Sequence, residues 1–144
     1  MSLMTASTPV GATFSGQPRH VTWERTWAYA GGPFAQQGWP AQNIHTDAQY
    51  ARSVGLAEPN VAGTQAQGYI VQLLVDLFGE QWLSHGKLYD LKFIRAIPIG
   101  AIIQVHAQVL SRESEGAAIR YTLAVRCLVQ SGEETIIARA VGWL

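Results

Sequence analysis

Gly63-Thr64-Gln65-Ala66-Gln67-Gly68-Tyr69-Ile70-Val71-Gln72-Leu73-Leu74-Val75-Asp76-Leu77-Phe78-Gly79 is the stretch on which the fold turns. It is long enough for a helix of about four turns at roughly 3.6 residues each. Thr64 is placed to cap its start, and Gly79 stands where a left-handed C-terminal cap is expected. Tyr69, Ile70, Leu73, Leu74, Leu77 and Phe78 recur at three- and four-residue spacing and form one wide apolar face. Val71 and Val75 carry that surface round to the flank, leaving Gln72 and Asp76 as polar relief. A helix apolar over most of its girth must be nearly wrapped by something else.

The wrapping is found downstream, where helical spacing gives way to alternation. Leu88 to Ile97 reads as a strand ending at Pro98 and Gly100. Ala101, Ile103, Val105, Ala107 and Val109 alternate with Gln104, His106 and Gln108, and Ser111 to Gly116 supplies a turn. Ile119, Tyr121, Leu123, Val125, Cys127 and Val129 form the cleanest strand. Ser131 and Gly132 turn it into a last strand, Glu134 to Trp143. Strands joined by short turns pair as antiparallel neighbours. Helices first and a meander afterwards make an α+β domain, a helix enclosed in a sheet. Four strands leave open edges, and an open edge favours pairing with a second copy, so a homodimer is expected.

Upstream, Val21 to Ala30 reads as a short helix capped by Thr22 and stopped by Gly31, Gly32 and Pro33. Phe34 to Asn43 reads as an irregular loop carrying Trp39. Thr46 or Asp47 caps a second short helix, Ala48 to Val54, ended by Gly55. Leu56 to Ala62 connects it to the central helix. About a dozen residues at the start are expected to be loose, the first three reading as an expression remnant.

With 144 residues, 48% of them apolar, the chain is one domain able to bury a real core. Ten basic and ten acidic residues cancel, with no Lys/Arg cluster. Attraction to nucleic acid or to an anionic membrane is therefore not indicated. Lone Cys127 excludes an internal disulfide, fits a reducing compartment and reads as a buried small hydrophobe. The start of the chain has no secretory pattern, and no apolar run approaches the roughly twenty residues that span a bilayer. A soluble cytoplasmic protein is the default expectation.

Most chemical motifs are absent: no Gly-x-Ser-x-Gly, no phosphate-cradling glycine loop, no Cys-x-x-Cys. His20, His45, His85 and His106 lack zinc-ligand spacing. The informative segment is Gln42-Asn43-Ile44-His45-Thr46-Asp47-Ala48-Gln49-Tyr50-Ala51. There an imidazole in an irregular stretch can take a proton from water or give one to a carbanion. Asp47 could orient it, although capping a helix is reason enough for that aspartate. The second candidate is Ala62-Gly63-Thr64-Gln65, where free N–H groups and the positive end of the helix form an oxyanion-stabilising site. As isolated residues, a loop histidine bonded to backbone and a glycine hinge are the simpler accounts.

These residues also carry a family resemblance. Ile44-His45-Thr46-Asp47 to Ala51, then Gly55-Leu56 and the Gly63 helix, resemble the MaoC-like hydratase/dehydratase branch of the hot-dog fold. Phe93-Ile94-Arg95-Ala96-Ile97-Pro98-Ile99-Gly100 resembles that family's strand ending in a Pro-x-x-Gly turn. The resemblance runs over roughly residues 20 to 143. It implies a long helix wrapped by a curved antiparallel sheet, in a dimer. It also implies water addition to a 2-enoyl thioester, or its removal from a 3-hydroxyacyl thioester, of coenzyme A or acyl carrier protein. His45 then matches the histidine that handles the water proton, and Gly63 the glycine whose N–H polarises the thioester carbonyl, with Thr64 beside it. No metal or bound cofactor is implied. The family pattern Asp-x-Asn-Pro-Ile-His has an aspartate five residues before the histidine. This chain reads Pro-Ala-Gln-Asn-Ile-His, with Pro40 in the acid's place and Ala62 where the family has a histidine. Gln42, Asn43 or Asp47 would then position the water. Thioester hydrolysis and noncatalytic acyl-thioester binding are the competing readings. Arg95 and Lys92 are candidates for a coenzyme A phosphate, and Phe34, Trp39 and Trp82 for the wall of an acyl tunnel; exposed strand charge and simple packing are the simpler accounts of them.

Overall fold

The computed structural model describes residues 2–37 and 42–144. In chain order the elements are β1 (Thr13–Ser15), β2 (Arg19–His20), α1 (Trp23–Tyr29), a 3-10 turn (Gly32–Gln37), α2 (Ala48–Ser53), α3 (Gly63–Phe78), α4 (Trp82–His85), β3 (Lys87–Phe93), β4 (Ile102–Glu115), β5 (Ala118–Val129) and β6 (Glu134–Trp143). The strands form one antiparallel sheet in the order β1-β4-β5-β6-β3, with β2 also paired to β4. α3 packs on β4, β5 and β6. The helix set against a sheet expected from the sequence is therefore the observed architecture.

Its core follows the two periodicities. Ile70, Leu73, Leu74, Leu77 and Phe78 of α3 are buried, while Gln72 and Asp76 are exposed. Facing them are Ile103, Val105, Ala107 and Val109 of β4 and Tyr121, Leu123, Val125 and Cys127 of β5, all buried. Each large side chain removed from water here contributes about 1.5–3 kcal/mol.

The C-terminal end of α3 is held from several sides. The Phe78 ring lies 6.4 Å from the Tyr121 ring and presses on Gly142, where a Cβ would come within 2.7 Å of it. Trp82 donates its indole N–H to the Val141 carbonyl at 3.0 Å. From the chain's start, Leu3 N donates to Asp76 O at 2.8 Å and Met4 N to Leu77 O at 3.1 Å, and the Met4 side chain is buried. Tyr121 donates its hydroxyl to the Thr5 and Thr8 carbonyls.

Several expectations are corrected. The opening residues are not loose, because they strap the end of α3 and continue into β1 and β2, two strands absent from the sequence reading. Thr64 does not cap α3: Ala62 is the cap residue and no side chain bonds the helix start, with Thr64 exposed in the first turn. Gly79 has the expected positive φ of 88°, but its ψ of 174° is extended rather than left-handed helical. β4 runs through Ser111 to Glu115, so the turn falls at Gly116. β3 ends at Phe93 after a bulge at Asp90, whose φ is 51°. Thr22 and Asp47 cap α1 and α2 as expected, accepting from Arg25 N and Tyr50 N. Trp39 and Pro40 lie outside the described residues.

Candidate active site

The His45 turn is built by Asn43. Its Oδ1 accepts the His45 N–H at 2.9 Å, its Nδ2 donates to Ala30 O at 3.2 Å, and its carbonyl accepts from Thr46 N and Asp47 N. Such side-chain bonds to nearby backbone substitute for a regular turn and fix the chain locally. Asp47 then closes the segment by accepting from Tyr50 N at 2.7 Å.

The turn is docked on the connector ahead of α3. Asn60 N donates to Ile44 O at 3.3 Å, and His45 Nδ1 lies 2.7 Å from Asn60 O. A carbonyl oxygen has only lone pairs to offer, so Nδ1 must carry the proton in this bond. In the neutral ring Nε2 is then the bare nitrogen, and it has no protein partner among the described residues. The connector is pinned on its other side by Val61 N donating to Ile97 O at 2.9 Å and by a bridge between Asn60 and Pro98.

His45, Asn60, Gly63 and Thr64 open on one cleft of about 510 Å³, walled by apolar residues that include Ile44, Phe93, Ile97 and Ile136. Gly63 is the first residue of α3. Among the described residues no acceptor is bonded to the N–H of Gly63 or Thr64, whereas Gln65 N returns to Ala62 O. These are the unpaired donors that every helix start leaves over, at the positive end of its dipole. No acidic residue in the first turn competes for them. Gly63 has a packing reason as well: a Cβ there would lie 2.6 Å from the Phe93 ring.

Of the candidate residues, the cleft thus gathers His45, Gly63 and Thr64. Asn43 is held in the turn, Asp47 is occupied as a cap, and Gln42 is exposed; none of these three lines the cleft. Arg95 does line it, held at 3.4 Å from Glu133. No carboxylate lines it among the described residues, and residues 38–41, Gly-Trp-Pro-Ala, supply none. Among the described residues no cluster of His, Cys, Asp or Glu could hold a metal ion, and no helix is long and apolar enough to cross a membrane. Two contributors escaped the sequence reading. Asn60 acts through its carbonyl, which side-chain chemistry does not advertise. Phe93 could have been suspected from a glycine opening a helix where no special dihedral requires one.

No protein-family model matches the sequence, and no curated protein matches it. Solved structures do. A MaoC-like dehydratase from Rhodospirillum rubrum superposes with a TM-score of 0.77 at 19% identity, over 99% of this chain and 97% of that one. An (R)-hydratase from A. caviae involved in PHA biosynthesis gives 0.68 at 20%, over 94% and 96%. The HadBC (3R-hydroxyacyl-ACP dehydratase) complex from Mycobacterium tuberculosis gives 0.66 at 12%, over 97% and 100%. The chain has the hot-dog fold, in the form taken by the MaoC-like dehydratases and (R)-hydratases it resembles.

Proposed function

We propose that this chain adds water to 2-enoyl thioesters, or removes it from 3-hydroxyacyl thioesters, of coenzyme A or acyl carrier protein. The observation that carries the reading is the joint opening on one cleft of a histidine with a fixed tautomer and two unpaired helix-start N–H groups. The thioester oxygen accepts from the Gly63 and Thr64 N–H groups, which stabilise the negative charge that forms as C3 is attacked. One such donor is worth about 2.7–4 kcal/mol in acyl chemistry. Water loses a proton to His45 Nε2 as its oxygen joins C3. The imidazolium then returns that proton to C2, and one H2O has been added across the double bond. His45 makes both transfers, because Pro40 stands where the resembled family has its acid. General acid–base catalysis of this kind contributes about 10²–10⁴-fold.

Among the described residues no strand pairs the outer edge of β3, and Tyr89, Phe93 and Ile94 along it are exposed. This supports pairing of two copies through that edge, as a homodimer or within a larger homo-oligomer. A cytoplasmic setting goes with the lone reduced cysteine.

A second reading is favoured by the lack of a carboxylate among the described residues that line the cleft: a subunit that binds acyl thioesters without turning them over. Loss of enoyl-thioester absorbance from crotonyl-CoA and from longer enoyl-CoAs tests both. Turnover that vanishes in His45→Ala supports the hydratase. Binding without turnover on every chain length overturns it in favour of the binding subunit.

A further inference from the structure

We infer that the Asn60 side chain reads the 3-hydroxyl of an acyl thioester and, in the hydration direction, holds the water that becomes it. The inference rests on the reading of the cleft as an acyl-thioester site and adds to it a residue and a substrate preference.

Asn60 is fixed by its backbone and unpaired at its side chain. Its N–H donates to Ile44 O at 3.3 Å, its carbonyl accepts from His45 Nδ1 at 2.7 Å, and it bridges to Pro98. It lines the cleft, yet its Oδ1 is buried with no hydrogen-bond partner among the described residues. Buried acceptors are nearly always paired, and an apolar side chain of the same size would avoid the cost of one that is not. The acceptor therefore calls for a donor that the protein itself does not supply. The other polar side chains of the cleft are not in this position. Arg95 carries donors only and is held by Glu133, and Thr64 is exposed, so that water satisfies its hydroxyl.

The donor that fits is an O–H at C3. The residue that fixes the tautomer of His45 through its backbone carries the unpaired acceptor on its side chain, so a hydroxyl bonded to Oδ1 stands beside the imidazole. Oδ1 is closed off from water as the side chain stands. The Cβ–Cγ torsion of an asparagine is broad, and the amide turns at little cost to meet a donor that enters. A water held there gives one hydrogen to Oδ1 and the other to His45 Nε2, which leaves an oxygen lone pair for C3. As the C–O bond forms, one proton passes to Nε2 and from there to C2. The O–H on Oδ1 stays intact and becomes the 3-hydroxyl. In dehydration the imidazole takes the C2 proton and passes it to that same oxygen as the C3–O bond breaks, and Oδ1 keeps the departing water in place. Two bonds to one water fix its direction of attack.

The test uses Asn60→Leu, which keeps the approximate size of the side chain and every backbone bond. Binding of 3-hydroxybutyryl-CoA, as each enantiomer, and of butyryl-CoA is measured by calorimetry on parent and variant. Crotonyl-CoA hydration and the thermal midpoint are measured on the same preparations. The parent should bind one hydroxy enantiomer roughly three- to tenfold more tightly than butyryl-CoA, the worth of one net hydrogen bond. Asn60→Leu should bind the two alike. Its kcat should fall by up to about a hundredfold with little change in KM, and its midpoint should not fall, because Oδ1 has no partner to lose. A hydroxyl preference that survives the substitution, or is missing from the parent, overturns the inference and leaves the hydratase to stand on its turnover. A preference abolished by the substitution, in a protein that turns over no enoyl-CoA, upholds the inference and sinks the hydratase. A midpoint lowered by several degrees assigns Oδ1 to a fixed structural water and overturns it. If neither thioester binds, the reading of the cleft falls and the inference with it.

Discussion

The ring of Phe93 fills the space into which Gly63 would otherwise extend a side chain, so that a Cβ there would meet ring atoms at 2.6 and 2.7 Å. The donor pair at the start of α3 is thus held against an aromatic from the sheet edge. Gly63→Ala should lower stability by about 1–3 kcal/mol, the usual cost of overpacking. Phe93→Ala should recover most of that loss when combined with it. Urea unfolding of the two single variants and the double variant gives the coupling directly. Simple additivity would show that the loss in Gly63→Ala does not come from the ring.

Asn43 should matter to turnover through His45 rather than by touching substrate. Asn43→Ala removes the acceptor for the His45 N–H and the donor to Ala30 O. A loosened imidazole should cut kcat by up to about a hundredfold, with little change in KM. Asn43→Asp keeps the acceptor oxygen and should restore much of the rate. If both variants lose activity alike, the bond to Ala30 is the one that counts.

Asp47→Ala separates a cap from a substrate contact. Loss of the carboxylate from Tyr50 N should cost about 1 kcal/mol of stability, read from the thermal midpoint. kcat and KM at a temperature well below that midpoint should stay at the parent values. A raised KM would place Asp47 at the substrate after all.

Cys127 is fully buried between Val105 and Ile136, and burial pushes its thiol pKa up. The folded state therefore keeps the thiol proton more tightly than the unfolded chain does. Stability from this group is fully present below the unfolded thiol value of about 8.5 and is lost as pH rises towards the folded value. Urea midpoints should fall between neutral pH and about pH 10, and Cys127→Ala should fall less steeply over the same window. Equal slopes in the two proteins would remove the thiol from the alkaline instability.

The parts of the fold legible in the sequence are those with a long period. α3, β5 and β6 each repeat their pattern often enough for the buried face to be named residue by residue. β1 and β2 span only Thr13–Ser15 and Arg19–His20, too short to show alternation, and what makes them strands is the free edge of β4. Ser111 to Glu115 read as a turn because the end of β4 projects into solvent, with no buried face to pattern it. In the site, His45 and Gly63 stood out as the residue types the chemistry needs. Their alignment did not, because it depends on a bond from an imidazole to a backbone carbonyl 15 residues away.

The anchored end of α3 and the end that opens on the cleft are the two ends of a single 16-residue helix, about 24 Å apart. Phe78, Tyr121, Trp82 and the Met4 strap secure one end, and the cleft residues gather at the other. At the cleft end Gly63, packed against the Phe93 ring, ties the helix to the stability of the fold in the same way. Changes at His45 or Thr64 would leave the anchoring contacts of Phe78, Tyr121, Trp82 and Met4 in place, so that the loop end of the cleft can vary while the far end of the helix keeps its hold.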